Sequence, residues 1–355
     1  MKAQAASMPE MDSVLPEIGA EFRTDFEWKD NDKQDGTNRS RPTLRFVVKR
    51  AHLNLEGKMD EQVGYRLRVR WNQTFEPQDD NTGAGLEYWF VKYQWTRAMQ
   101  IRVGKQKILQ GGREGVHNPI DEFEYSRLGK KIQHFYEVGV SAFYDLGAFS
   151  QMLEGQSIAG QVLNQTTGSS ENQFGLIYNF AWYGSYAGGI IEPVIQYGFF
   201  PHVQENENDS TTGKRLVTQE SYSETFLSLG VLINMESFRV EMDLIDHYQE
   251  SYKERTAAST RKNFTEKNTS LVISGQIEGD SFAPLAKWIY DVEKRNAASG
   301  TIENDRNEYI FGTAYFPNRM NHDFRLHAMF AYKSVSEDTH DYAEYRLNGG
   351  MSARF

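Results

Sequence analysis

The chain has no cysteine in its 355 residues, which excludes disulfide scaffolds, thiol catalysis and cysteine-ligated metal centres. It also lacks the apolar runs of about 20 residues that helical membrane spans require. The one uncharged stretch of that length, 172–191, is interrupted by Gly175, Gly184, Gly188 and Gly189. Positive charge is in deficit: 39 Lys and Arg face 49 Asp and Glu, giving a formal charge of -10. A general nucleic-acid binder, which must neutralise phosphates over a broad surface, is therefore not expected. Residues 1–10 carry no apolar segment of the signal-peptide kind, and the numbering is expected to begin near a mature end. What is present in quantity is aromatic mass. The 22 Phe, 19 Tyr and 6 Trp supply far more burial area than a disordered chain contains.

The apolar residues recur with period two. In 19–28, Ala20, Phe22, Phe26 and Trp28 alternate with Glu21, Arg23, Asp25 and Glu27. In 63–72, Val63, Tyr65, Leu67, Val69 and Trp71 interleave with Arg66, Arg68, Arg70 and Asn72. A helix would scatter both sets around its axis, whereas a strand sends them to opposite faces. Further strands are predicted at 43–55, 87–95, 99–107, 136–144, 149–156, 173–182, 190–199, 223–235, 238–245, 268–278, 283–292, 308–316, 324–335 and 345–355, about sixteen in all. The second changes phase at Lys49 and Arg50, which predicts a bulge. Most run roughly 9 to 11 residues, the length a tilted strand needs to cross a bilayer.

The connections alternate between tight turns, such as 96–98, 145–147, 236–237, 279–281 and 318–322, and long polar loops. The loops are expected at 29–42, 73–86, 108–135, 157–172, 200–222, 246–267, 293–307 and 336–344. That asymmetry, with an even strand count, is the signature of an outer-membrane barrel. The expected architecture is all-β: an N-terminal periplasmic segment, 1–18, then one transmembrane antiparallel barrel, 19–355, with short periplasmic turns and long extracellular loops. Its location is then the bacterial outer membrane. Aromatics near strand ends, among them Trp28, Trp71, Trp95, Tyr136, Tyr144, Trp182 and Phe316, suit an interfacial girdle. The last strand alternates to Phe355, similar to the terminal signal by which the barrel-assembly machinery recognises its clients.

The basic ladder of Arg66, Arg68 and Arg70 is the most informative chemistry. Guanidiniums about 7 Å apart along one strand face can pass an anion from one fork of donors to the next. The bland alternative is a solvated face whose arginines pair with neighbouring carboxylates. Arg45, Arg50, Lys92 and Arg102 fall on predicted lumen faces or beside them. The longest loop, 108–135, is the candidate constriction. It carries Arg113, Arg127, Lys130 and Lys131, but also Glu114, Asp121, Glu122 and Glu124. Its Gly111, Gly112 and Gly115 suit a backbone anion nest, although no Gly-Lys-Ser/Thr follows to make a nucleotide loop. His117 with Asp121 and Glu122, or His134 with Glu137, are chance pairs rather than metal sites. His247 and His340 have no nucleophile pattern beside them. No cofactor, metal or catalytic residue is expected.

The segments Lys49-Arg50-Ala51, Leu53-Asn54-Leu55-Glu56-Gly57-Lys58, Gly64-Tyr65, Arg102-Val103-Gly104-Lys105-Gln106-Lys107 and Glu124-Tyr125-Ser126-Arg127 resemble the phosphate-selective porin O and P family. The resemblance covers roughly a hundred residues at motif level. It implies a sixteen-stranded, usually trimeric channel that passes phosphate or polyphosphate past lumen arginines and loop lysines. Where the family often carries a proline after the Val-Gly-Lys segment, this chain has Ile108-Leu109-Gln110-Gly111, so the constriction loop is free to take another path. The expected function is a passive porin for small, anionic solutes such as phosphate, embedded among lipid and lipopolysaccharide. The alternatives are a non-selective porin, a barrel that binds a partner through loops such as the basic 253–262 segment, and a soluble all-β module.

Overall fold

The computed structural model describes residues 16–31, 34–35, 38–39, 41–72, 85–117, 121–132, 136–165, 175–208, 215–255, 262–297, 300–317, 323–337 and 340–355. The expected 1–18 segment lies largely outside these residues, as do His134 and the centre of the 253–262 segment.

The strands are β1 (Glu17–Asn31), β2 (Gln34–Asp35), β3 (Asn38–Arg39), β4 (Thr43–Lys58), β5 (Val63–Arg70), β6 (Leu86–Gln94), β7 (Met99–Lys107), β8 (Tyr136–Asp145) and β9 (Ser157–Gln165). They continue with β10 (Gly175–Tyr183), β11 (Ile191–Asn208), β12 (Arg215–Met235), β13 (Phe238–Arg255), β14 (Lys262–Ile277), β15 (Phe282–Ala297), β16 (Gly300–Tyr315), β17 (Phe324–Glu337) and β18 (His340–Arg354). Two short helices, α1 (Gly112–Val116) and α2 (Arg127–Ile132), lie in the long connection after β7. The strands β2 and β3 form a separate small hairpin, and the rest follow one another around a closed antiparallel barrel. Closure is made by β1, which pairs with β4 on one side and with β18 on the other. At the seam Phe355 exchanges two backbone hydrogen bonds with Ala20, at 2.9 and 3.0 Å.

The polarity of the two faces, which periodicity left open, is fixed by burial. Glu21, Arg23, Asp25 and Glu27 of β1 are buried inside the barrel, whereas Phe22 and Phe26 stand outside. The same inversion holds around the wall: Leu44 and Phe46, Leu326 and Phe330, and Leu347 and Met351 are exposed. An apolar exterior around a charged interior places lipid outside and water within. The bulge falls where the phase change predicts it, because Arg23 faces Arg50 and Thr24 faces Val48, leaving Lys49 as the extra residue.

Two expectations fail locally. Residues 149–156 form no strand. The segment turns through two short 3-10 helices, Leu146–Ala148 and Gln151–Leu153, and the strand begins at Ser157, inside the expected loop. The Asp145 carboxylate accepts from the Gly147 amide at 2.9 Å and the Ser150 hydroxyl from the Met152 amide at 3.2 Å, so local caps win over the ladder. Gly155 completes the turn at φ 76, where a Cβ would stand 2.4 Å from the Ser185 carbonyl oxygen. The stretches 200–222, 246–267, 293–307 and 336–344, expected as loops, continue as paired strand over most of their described residues. β11 and β12 stay in register from Ile191↔Ile233 to Asn208↔Arg215, with one shift near Glu205, and β12 and β13 run to Thr218↔Arg255. These extensions pass beyond the apolar band, where no lipid demands alternation and the sequence signal fades.

Candidate functional site in the barrel lumen

The connection between β7 and β8 folds into the barrel. Its Ile108, Leu128 and Ile132 pack on Leu163, Ile177, Phe200, Phe226 and Ile245 of the wall. Phe123 lies against Val272, Ile289, Ile310, Met329 and Ala331. The glycines at its start do form a nest of amides, with Gly111 at φ 94 and Gly112 at φ 60. The nest is filled by the protein itself. Asp243 accepts from the amides of Arg113 at 2.6 Å and Glu114 at 2.9 Å. Gln196 takes the Gly112 amide at 2.9 Å and Ser228 the Gly111 amide at 3.2 Å. A Cβ on Gly112 would meet the Asp243 carboxylate at 2.3 Å, so glycine is required by space as well as by φ.

Charged pairs hold the rest of the connection. Buried Lys287 on β15 donates to Glu114 at 2.7 Å, to Glu122 at 2.8 Å and to the Glu124 carbonyl at 2.6 Å. Arg113 meets Glu192 at 3.2 Å, and Lys131 meets Glu224 at 3.2 Å. Arg127 pairs with Glu293, Lys130 with Glu124, and Arg354 with Asp121. Arg346 reaches Glu124 at 2.6 Å and also Glu308. The four loop cations proposed from the sequence thus all have carboxylate partners. Burial would raise the Glu124 carboxyl, but Lys130 and Arg346 hold it well below the usual carboxylate range. His117, at the end of α1, lies 2.8 Å from Glu241 and 3.9 Å from Glu122. Burial would lower its pKa, yet the hydrogen bond to Glu241 and the two carboxylate charges raise it above the ordinary histidine value.

The wall from β5 to β8 is different in kind. A cavity of about 430 Å³ lies between it, β9 to β11 and the folded-in connection. Arg66, Arg68, Arg102, Lys107 and His117 line it, and among the described residues no carboxylate does. Arg66 is 3.4 Å from Glu56 in a half-exposed pair, and Lys92 binds the other oxygen of the same carboxylate. Arg68 is buried, donating to Asn54 at 2.7 Å and to Glu21 at 2.9 Å. Arg102 donates its Nε to Gln100 at 2.8 Å, and no carboxylate among the described residues comes within ion-pair distance. Two residues on, Gly104 lies at φ 132, where a Cβ would stand 2.4 Å from the Trp89 carbonyl oxygen, so glycine is what lets β7 approach β6 this closely. Lys107 is turned back onto the Gly115 carbonyl at 2.6 Å.

The other predicted cations sit elsewhere in the lumen. Arg70 is buried outside the lining of that cavity, against Asn72 at 3.1 Å, the Lys49 carbonyl at 3.2 Å and Glu87 at 3.9 Å. Arg45 pairs with Glu27 at 2.8 Å, and Arg50 faces Arg23 across the β1–β4 ladder. A second cavity, of about 240 Å³, lies at the opposite side and mixes Asp121, Glu122 and Glu241 with Arg239, Lys287, Arg325 and Arg354. Among the described residues no cluster of three or more His, Asp or Glu has the geometry of a metal site. Sequence reasoning missed the wall anchors Asp243, Lys287, Glu192 and Glu293. Their only signal was a charge inside a membrane strand, which marks the lumen face without naming a partner.

A closed sixteen-stranded barrel with an apolar exterior, a charged lumen and a connection folded into it defines an outer-membrane porin. The chain belongs to the phosphate-selective porin O and P family, whose model matches residues 17–290. Three solved structures share the fold. The outer membrane channel DcaP of Acinetobacter baumannii is 11% identical, covers 99% of this chain and 100% of its own, and superposes with a TM-score of 0.64. Outer-membrane expressed OmpT of Vibrio cholerae is 10% identical over 98% of this chain and 100% of its own, with a TM-score of 0.59. The anion-selective porin from Comamonas acidovorans is 10% identical over 96% of this chain and 99% of its own, with a TM-score of 0.54. No curated protein sequence matches the chain. The protein is accordingly a channel of the bacterial outer membrane, in a family of channels rather than enzymes.

Proposed function

We propose that this porin conducts small anions by passive diffusion, with Arg66, Arg68 and Arg102 as the attracting face and the 108–135 connection as the constriction. The observation that carries the reading is the cavity lined by five basic side chains and, among the described residues, by no carboxylate. Guanidinium forks in a wet, narrow lumen hold an oxyanion by paired hydrogen bonds while water keeps the binding weak enough for release. The loop cations Arg113, Arg127, Lys130 and Lys131 act in this scheme as anchors, since their charge is spent on carboxylates. Phosphate, the solute in the family's name, is within reach of this chemistry. The barrel carries no catalytic role in this reading. It works as a homotrimer, the form in which the Vibrio cholerae OmpT has been described. Its exposed terminal Phe355 is the handle for barrel insertion.

Planar-bilayer recordings across a potassium chloride gradient test the proposal. An anion-signed reversal potential that moves towards cations in Arg68→Ala/Arg102→Ala supports it. A potential near zero in the unmodified protein points instead to a general porin, the reading that the mixed charges of the second cavity favour.

A further inference from the structure

We propose that the cavity bounded by β5 to β8 is a subsite for planar aromatic carboxylates, a solute class narrower than the small anions assigned above. The inference rests on the anion reading and adds a second requirement, a flat ring.

Three features of the lining support it. The guanidiniums already sit on aromatic faces. Arg102 lies 3.8 Å from the centroid of Phe143 and 5.4 Å from that of Phe90. Arg66 and Arg68 share Tyr88, at 5.5 and 5.4 Å. A flat solute can add one more ring to this cluster of rings and guanidiniums while its carboxylate takes the edge donors. Arg102 has those donors available, because among the described residues only its Nε is taken, by Gln100.

The wall chemistry also favours an aryl carboxylate over a compact, strongly hydrated oxyanion. Phe90, Phe143 and the ring faces of Tyr88, Tyr136 and Tyr183 form much of the surface, so inorganic phosphate, though the arginines and tyrosine hydroxyls can hold it, gives up part of its water to ring faces that return no hydrogen bond. An aryl carboxylate exchanges ring hydration for aromatic contact and leaves only its carboxylate to the arginines. The volume agrees: about 430 Å³ is room for a ring with its carboxylate and accompanying water. Besides the arginines, Lys107, His117 and the tyrosine hydroxyls, the polar lining consists of neutral amides, Gln106, Gln110, Gln161 and Gln196, each held by hydrogen bonds within the wall and the connection, so that they do not oppose the charge of an anion.

The test uses the full-length protein in planar bilayers carrying a chloride current, with benzoate, cyclohexanecarboxylate, acetate or inorganic phosphate added as the blocking probe. The first three share one carboxylate, and only benzoate is planar and aromatic. Benzoate should halve the current at a concentration about tenfold below the other three, the size expected of one added stacking contact. Phe143→Leu should bring benzoate back to the level of cyclohexanecarboxylate, and Arg102→Gln should weaken block by all three carboxylates. Equal block by benzoate and cyclohexanecarboxylate, or tighter block by phosphate, in a channel that still prefers anions overturns the subsite and leaves the anion pathway standing. A channel without anion preference overturns both. The comparison among probes on the unmodified protein decides the matter even where a variant fails to assemble.

Discussion

The lumen has two walls with the same charged residue types and different uses for them. On the side of β11 to β18, ion pairs join the wall to the folded-in connection: Lys287 with Glu114 and Glu122, Glu293 with Arg127, Arg346 with Glu124. On the side of β5 to β8, Arg102 faces water and aromatic rings instead. The first wall spends its charge on holding a loop; on the second, Arg66 and Arg68 also meet Glu56 and Glu21, and of its three cavity arginines Arg102 has no carboxylate within ion-pair distance among the described residues. A count of lumen arginines therefore says little about selectivity, because a guanidinium neutralised at short range contributes little to the field a passing ion feels.

Several substitutions would break that contrast or sharpen it. The largest effect is expected from Lys287→Met, which leaves Glu114 and Glu122 facing each other in a buried site without their cation. The cost is about 3–5 kcal/mol, as for other buried pairs that lose one partner. It should appear as easier denaturant unfolding and as larger, flickering single-channel currents from a released constriction. Conductance and unfolding midpoints like those of the unmodified barrel would show that the loop needs no such anchor. Next in size, Arg68→Ala/Arg102→Ala should move the reversal potential well towards cations. An unmoved value would place the attracting charge on the other wall.

A smaller effect is expected with pH. His117 faces Glu122 and Glu241, with Arg239 3.5 Å away as the opposing charge. Its raised pKa means that the charged form is favoured by the seated loop. This contribution to holding the loop is fully present below the pKa of the unseated histidine and is lost as pH rises through the raised value. Current noise should grow over that rise and the growth should vanish in His117→Gln; noise independent of pH in the unmodified protein would count against the contact. Smallest of all, Arg127→Gln with Glu293→Gln and Lys131→Gln with Glu224→Gln should shift ion preference hardly at all, because each double substitution removes a balanced pair whole. A shift as large as that of the Arg68/Arg102 pair would restore these residues to the conduction path.

The sequence made the barrel legible through contact with lipid. The alternation of Phe22 and Phe26 with Glu21, Arg23 and Asp25, and the phase change at Lys49, reported residues that each see one of two solvents, and the wall follows them. Where lipid contact ends, the reading weakened. The β11–β12 extension carries no apolar stripe, and the turn at 146–156 is decided by the side chains of Asp145 and Ser150. In the lumen, the face of Arg102 and Arg68 was readable from period two, but their partners were not. Pairs such as Lys287 with Glu114 join a wall strand to the folded-in connection across the lumen, and no local pattern encodes that distance.

The anchors of the folded-in connection also set a timetable for biogenesis. Asp243, Lys287 and Arg346 are supplied by segments synthesised long after residues 113–124, the last of them by the strand that closes the ring. Contacts so distant along the chain carry a large closure entropy until the intervening strands are in place. The connection between β7 and β8 thus gains its last anchors only when the circle of strands is complete, so that its seating belongs to the final stage of assembly.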